Sequence, residues 1–187
     1  MPLALFGAAV LIGFLLANPA RAAPDGAEWG VAEEPAGCGG CHLAPAATTD
    51  AAALDPPAVS AASAALDIEG LPANPAPGQR YVLLIALDDP ALRNAGFLLS
   101  VRAEGGAPGR LIADDVRVET DAHLARSTWE GSFVAEPGSA RWPLIWEAPA
   151  APTGPVRFEL WANAGNNDLS PLGDRVHHRV WAIPAGR

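Results

Sequence analysis

Val156-Arg157-Phe158-Glu159-Leu160-Trp161 is the stretch that decides the fold. In an extended chain successive side chains point to opposite faces. Val156, Phe158 and Leu160 therefore share one face, and Arg157, Glu159 and Trp161 the other. Working outward, Arg80–Leu87, Gly96–Glu104, Val116–Thr120, Arg141–Glu147, Val156–Asn163 and Arg175–Ile183 each read as a strand. The segments Asn74-Pro75-Ala76-Pro77-Gly78, Glu104-Gly105-Gly106-Ala107-Pro108-Gly109 and Glu136-Pro137-Gly138-Ser139 between them are turns on residue chemistry. Six or more strands without a convincing amphipathic helix predict an all-β domain, a two-sheet sandwich over residues 66–187.

Several stretches of this domain resemble the reeler-like domains called choice-of-anchor V. Gly70-Leu71-Pro72 with Pro77-Gly78-Gln79-Arg80-Tyr81 resembles their opening, and Gly96-Phe97-Leu98-Leu99 a later segment. Trp142-Pro143-Leu144-Ile145-Trp146-Glu147-Ala148-Pro149 resembles their W-x-x-x-W-x-A-P stretch. Ala162 to Asp168, through Gly173-Asp174, resembles their Gly/Asn-rich stretch ending in Gly-Asp. The likeness covers roughly Leu66–Ile183 and implies a reelin-type, immunoglobulin-like β-sandwich. Many bacterial members carry a C-x-x-C-H box just after the signal peptide. Two departures stand out: no anchor segment is read after Ile183, and His177 stands where an aromatic often follows Gly-Asp.

This chain has such a box: Cys38-Gly39-Gly40-Cys41-His42. C-x-x-C-H is the attachment signature of c-type haem. Two thiols add across the haem vinyl groups, and the adjacent histidine turns onto the iron as proximal ligand. Cys38 and Cys41 are the only cysteines. A redox disulfide would sit near a βαβ pattern, and none follows. A structural zinc site wants four ligands at paired spacings, which the remaining histidines do not show. A plain disulfide across two residues would be a strained loop. The expected cofactor is one covalent haem c on Cys38 and Cys41, with His42 on the iron.

Export fits this chemistry, because bacterial haem attachment takes place outside the cytoplasmic membrane. Leu3 to Ala17 is apolar and interrupted only by glycines, and Ala20-Arg21-Ala22 offers small residues to a signal peptidase. The expectation is a signal peptide over 1–22 and a periplasmic or secreted product. The n-region has no Lys or Arg, which leaves an uncleaved membrane anchor as the alternative. The mature chain would carry 11 Arg against 21 Asp and Glu, and no lysine. That acidity argues against nucleic acid and anionic membrane surfaces, and favours a basic redox partner.

Residues 23–65 read as a haem-attachment arm and linker, rich in Pro and Ala. Trp29, Val31, Leu43 and Leu54 are nearly all it offers a core. It cannot bury a haem alone, so the β domain or a partner subunit must cover the porphyrin. Pro56 and Pro57 stiffen the linker, and a short helix over Val59–Ala65 is compatible with the residues.

The only methionine is Met1, so a second strong iron ligand would come from His123, His177 or His178. His123, in the loop after a strand and near a histidine seen in reeler-like relatives, ranks first. His177 and His178 are adjacent on one strand and face opposite ways. An open or partner-filled sixth position is the competing expectation. Asn163, Asn166, Asn167, Asp168 and Asp174 form an oxygen-rich stretch that could in principle hold calcium. The reading preferred is a Gly/Asn turn with Asx hydrogen bonds. The tryptophans on or beside strands read as core or haem wall. No Ser-His-Asp, paired-carboxylate or phosphate-loop signature points to a hydrolase. The function expected is electron transfer. The alternatives are an envelope adhesion module of reeler-like type, or a haem sensor or enzyme with an open sixth site.

Overall fold

Among the described residues, nine strands build two antiparallel sheets. In chain order they are β1 (Leu66–Glu69), β2 (Arg80–Asp88), β3 (Asn94–Ala103), β4 (Arg110–Ala113), β5 (Val118–Asp121), β6 (Leu124–Ser127), β7 (Ser139–Glu147), β8 (Val156–Gly165) and β9 (Arg175–Ile183). A 3-10 turn, Glu130–Ser132, precedes β7. One sheet runs β1-β2-β7-β4 and the other β5-β6-β3-β8-β9. The structure is a computed structural model, and it describes Trp29, Cys38, His42 and residues 63–151 and 153–184. Residues 1–22, Cys41 and most of 23–65 lie outside the described residues. So does most of the proposed Val59–Ala65 helix. No helix among the described residues is long and apolar enough to cross a membrane.

The predicted sandwich is present, and its cause is the period-two pattern. On β7, Ala140, Trp142, Leu144 and Trp146 are buried while their neighbours are half-buried. On β8, Val156, Phe158, Leu160, Ala162 and Ala164 face the same core. The sheets meet through aromatic rings. Phe97 of β3 lies 5.1 Å from Trp142, and Phe158 of β8 lies 5.1 Å edge-on to Trp146. Both buried indoles find acceptors: Trp142 Nε1 donates to Gly131 O at 2.7 Å, and Trp146 Nε1 to Pro108 O at 3.1 Å. Gly109 makes the second contact feasible. Its φ is +91°, and a Cβ there would collide with Glu147 O and the Trp146 indole.

The six predicted strands are all found, with no end shifted by more than two residues. β1, β4 and β6 are additional. Each is four residues long, too short for alternation to stand out. The β5–β6 connection also lacks a conventional turn residue, because Ala122 takes φ +49° there. The three predicted turn segments all lie between strands.

Polar links tie one sheet to the other. Asp89, just after β2, is 3% exposed, and its carboxylate meets His177 Nε2 at 2.9 Å and Arg175 at 3.2 Å, both on β9. His177 Nδ1 lies 2.7 Å from Ser63 Oγ. Both nitrogens of His177 are therefore engaged within the domain.

Candidate functional site

The outer face of the five-stranded sheet is where the box docks. Strand register sets a row across it: Glu119, Arg126, Leu98, Trp161 and His178, on β5, β6, β3, β8 and β9 respectively. A sheet face turned to water would expose these residues. Instead Leu98 is 1% exposed and Trp161 4%. Leu98 and Leu124 cluster with Trp29 and Cys38 of the arm. The Arg126 guanidinium lies 4.5 Å over the Trp29 ring, and on its other side Arg126 pairs with Glu119. Trp161 stacks on His178 with ring centroids 3.9 Å apart.

His42 sits at one end of this face. Its backbone N–H donates to Cys38 O at 3.1 Å, which ties the two ends of the box. Its Nδ1 lies 2.7 Å from Asp174 Oδ2. Asp174 is 4% exposed, just before β9, and collects two further donors. The Asn163 amide reaches Oδ2 at 3.0 Å, and the Asn166 N–H reaches Oδ1 at 3.2 Å. Burial by itself would raise the Asp174 carboxyl. The hydrogen bonds from His42, Asn163 and Asn166 outweigh it and hold the group below the usual carboxylate range. An ionised carboxylate only accepts. His42 therefore donates its Nδ1–H to Asp174, and Nε2 is the ring nitrogen not engaged by that carboxylate. Metal-bound histidines are usually fixed in this way.

The chemistry present fits a covalent haem at this place. A covalent haem held here would take one nitrogen from His42 and one thiol from Cys38, which packs against Leu98 and Leu124. Asn163 Oδ1 and Ser100 Oγ, on strands of the same sheet, are buried polar atoms without a hydrogen-bond partner. Cys41, the other expected thiol, lies outside the described residues. Among the described residues no group of three or more His, Cys, Asp or Glu is disposed to hold a bare metal ion.

Against known proteins, no family model matches the chain, and no curated protein matches it. Among solved structures, the Reelin-N domain of F-spondin aligns over 66% of this chain and 86% of that chain, at 18% identity and a TM-score of 0.46. The human F-spondin reeler domain aligns over 65% and 87%, at 19% identity and a TM-score of 0.42. An uncharacterized Nocardia farcinica protein with an immunoglobulin-like fold aligns over 63% and 80%, at 16% identity and a TM-score of 0.31.

The histidines separate by position. His123 is exposed in the β5–β6 turn, and its carbonyl accepts from Val101 N at 2.9 Å. Asn163, which shares Asp174 with His42, pairs with Gly96 on the same strand β3. The two places are five residues apart along β3, about 16 Å at the rise of a strand. The structure does not bring His123 and His42 together. His177 faces Ser63 and Asp89, and His178 faces the opposite way onto Trp161, with Nε2 3.0 Å from Glu159.

The oxygen-rich loop makes Asx-type bonds of its own. Asp168 N donates to Asn166 Oδ1 at 3.0 Å, and Ser170 N to Asp168 Oδ1 at 2.8 Å. The partnership of Asp174 with His42 was not legible in advance. The Gly173-Asp174 pair stood out only as part of that loop, and no local pattern links it to a histidine 132 residues away.

Proposed function

We propose that this chain is an exported β-sandwich module whose N-terminal arm carries one covalent haem, through Cys38 and Cys41, and that it transfers electrons. His42 is the proximal iron ligand in this reading. The observation that carries it is the 2.7 Å contact between His42 Nδ1 and buried Asp174, which orients the one histidine of the C-x-x-C-H box. Haem supplies a one-electron couple. The protein's part in this reading is to orient His42 through Asp174 and to seat the arm on Leu98 and Leu124. The acidic surface favours a basic redox partner, in the periplasm or outside the cell. The test is a potentiometric titration of protein matured in a host with the haem-ligation machinery. A reversible one-electron transition of a haem that survives denaturation supports electron transfer. A haem-bearing protein that cannot be cycled reversibly would remove it.

A second reading, an interaction module of the cell envelope, is favoured by surface aromatics. Trp129 and Phe133 are 46% and 62% exposed and meet edge-on at 5.1 Å. Exposed rings placed together suit a protein or glycan partner. If the box carries no haem, this reading leads. Loss of binding to envelope material on Trp129→Ala plus Phe133→Ala would then support it.

A further inference from the structure

Asp174 has a geometry beyond what is needed to tether an arm. We infer that Asp174 is a positioning residue that strengthens the His42 imidazole as an electron donor and so biases the iron toward the ferric state. The inference rests on the covalent haem proposed above.

Three features carry it. First, the acceptor of the His42 Nδ1–H is a full carboxylate, buried and 2.7 Å away. A hydrogen bond to an ionised acceptor in a low-dielectric setting is about twice as strong as one to a neutral carbonyl. It pulls the Nδ1 proton outward and shifts electron density to Nε2. Second, the carboxylate is held still. Asn163 on β8 and the Asn166 N–H grip its two oxygens, and Gly173 turns the chain at φ +86° immediately before it. A fixed anion can polarise the ring, whereas a solvated one would be screened. Third, holding it has a structural consequence. Asn163 gives its NH2 to Asp174, and its own buried oxygen has no partner. A buried amide oxygen without a donor is destabilising, so the orientation of the amide is imposed by the carboxylate.

The experiment compares the midpoint potential of full-length haem protein with that of Asp174→Asn. Asn keeps the shape and can still accept from Nδ1–H, but it carries no charge. The expected change is at least a tenfold shift of the ferric-to-ferrous ratio toward ferrous, about 59 mV upward for one electron. Asp88→Asn removes an equal charge from an exposed position on the other sheet and should leave the potential where it was. Haem attached but equal potentials in wild type and Asp174→Asn would overturn the inference while leaving the covalent haem intact. A wild type without covalent haem would overturn both. If Asp174→Asn does not fold, resonance Raman on the reduced wild type decides. An iron–imidazole stretch above that of haem ligated by free imidazole supports the inference, and an equal frequency refutes it.

Discussion

Asp89 Oδ2 lies 2.9 Å from His177 Nε2, joining the end of β2 in one sheet to β9 in the other. With Asp89 ionised, Nε2 donates to it and Nδ1 accepts from Ser63 Oγ–H. A neutral imidazole then satisfies both neighbours. What sequence reading offers as a candidate iron ligand is a structural link between sheets.

The link predicts an acid-sensitive stability. Burial would raise the Asp89 carboxyl, but the hydrogen bonds from the Ala91 N–H, His177 and Arg175, with the Arg175 charge, bring it below its ordinary value. A folded-state value below the unfolded one means the contribution is complete above the unfolded value, near 3.9. It is lost as pH falls from there through the folded value. Urea melts should show Asp89→Asn less stable than wild type by about 2 kcal/mol at pH 7. The gap should narrow below about pH 4. A gap that stays constant down to pH 2.5 would contradict this assignment.

The indole of Trp142 should matter through its nitrogen as well as its bulk. Trp142→Phe leaves the buried Gly131 carbonyl without its 2.7 Å donor and thins the contact with Phe97. The expected loss is about 2 kcal/mol. Trp129→Ala, half-exposed, should cost under about 0.5 kcal/mol. Thermal or denaturant melts of the two variants check both numbers.

The sandwich should fold without its arm, provided Ser63 is kept. Ser63 Oγ bonds His177, and Ser63 N donates to His178 O at 3.1 Å. A chain beginning at Ala61 should melt cooperatively with β-type circular dichroism. One beginning at Ala65 should be weaker by about 1–2 kcal/mol. Equal midpoints would mean that Ser63 contributes nothing. Without the arm, Leu98 and Leu124 lose their cover, so the shorter chains should bind a hydrophobic dye at that face.

His123→Ala should leave the optical spectrum of the haem protein unchanged, and reduced wild type should bind carbon monoxide. The reason is placement: His123 lies in an exposed turn about 16 Å along β3 from the His42 end of the face. Conversion of a low-spin wild type to high spin by this single change would put His123 on the iron after all. It would also require the arm to dock differently.

The core was legible where alternation ran long. Val156, Phe158 and Leu160 face inward as their spacing dictates, and β9 begins and ends where expected. Of the four short strands only β5 was legible; β1, β4 and β6 carry too little pattern in four residues, and Ala122 turns the chain into β6 without a glycine. The face of Trp161 was legible but its burial was not. Alternation places it opposite the core, and the His178 ring stacked on it helps to bring it to 4% exposure. The box was legible as a motif through its spacing. Its anchor, Asp174, was hidden because a contact spanning 132 residues leaves no trace in local pattern.

The most direct measurement is the intact mass of full-length protein purified from a host that matures c-type cytochromes. The account predicts a mass increase of one haem that persists under denaturing conditions and disappears when Cys38 and Cys41 are both changed to Ser. A wild-type mass equal to that of the bare polypeptide, from a host shown to mature another C-x-x-C-H protein, would contradict it.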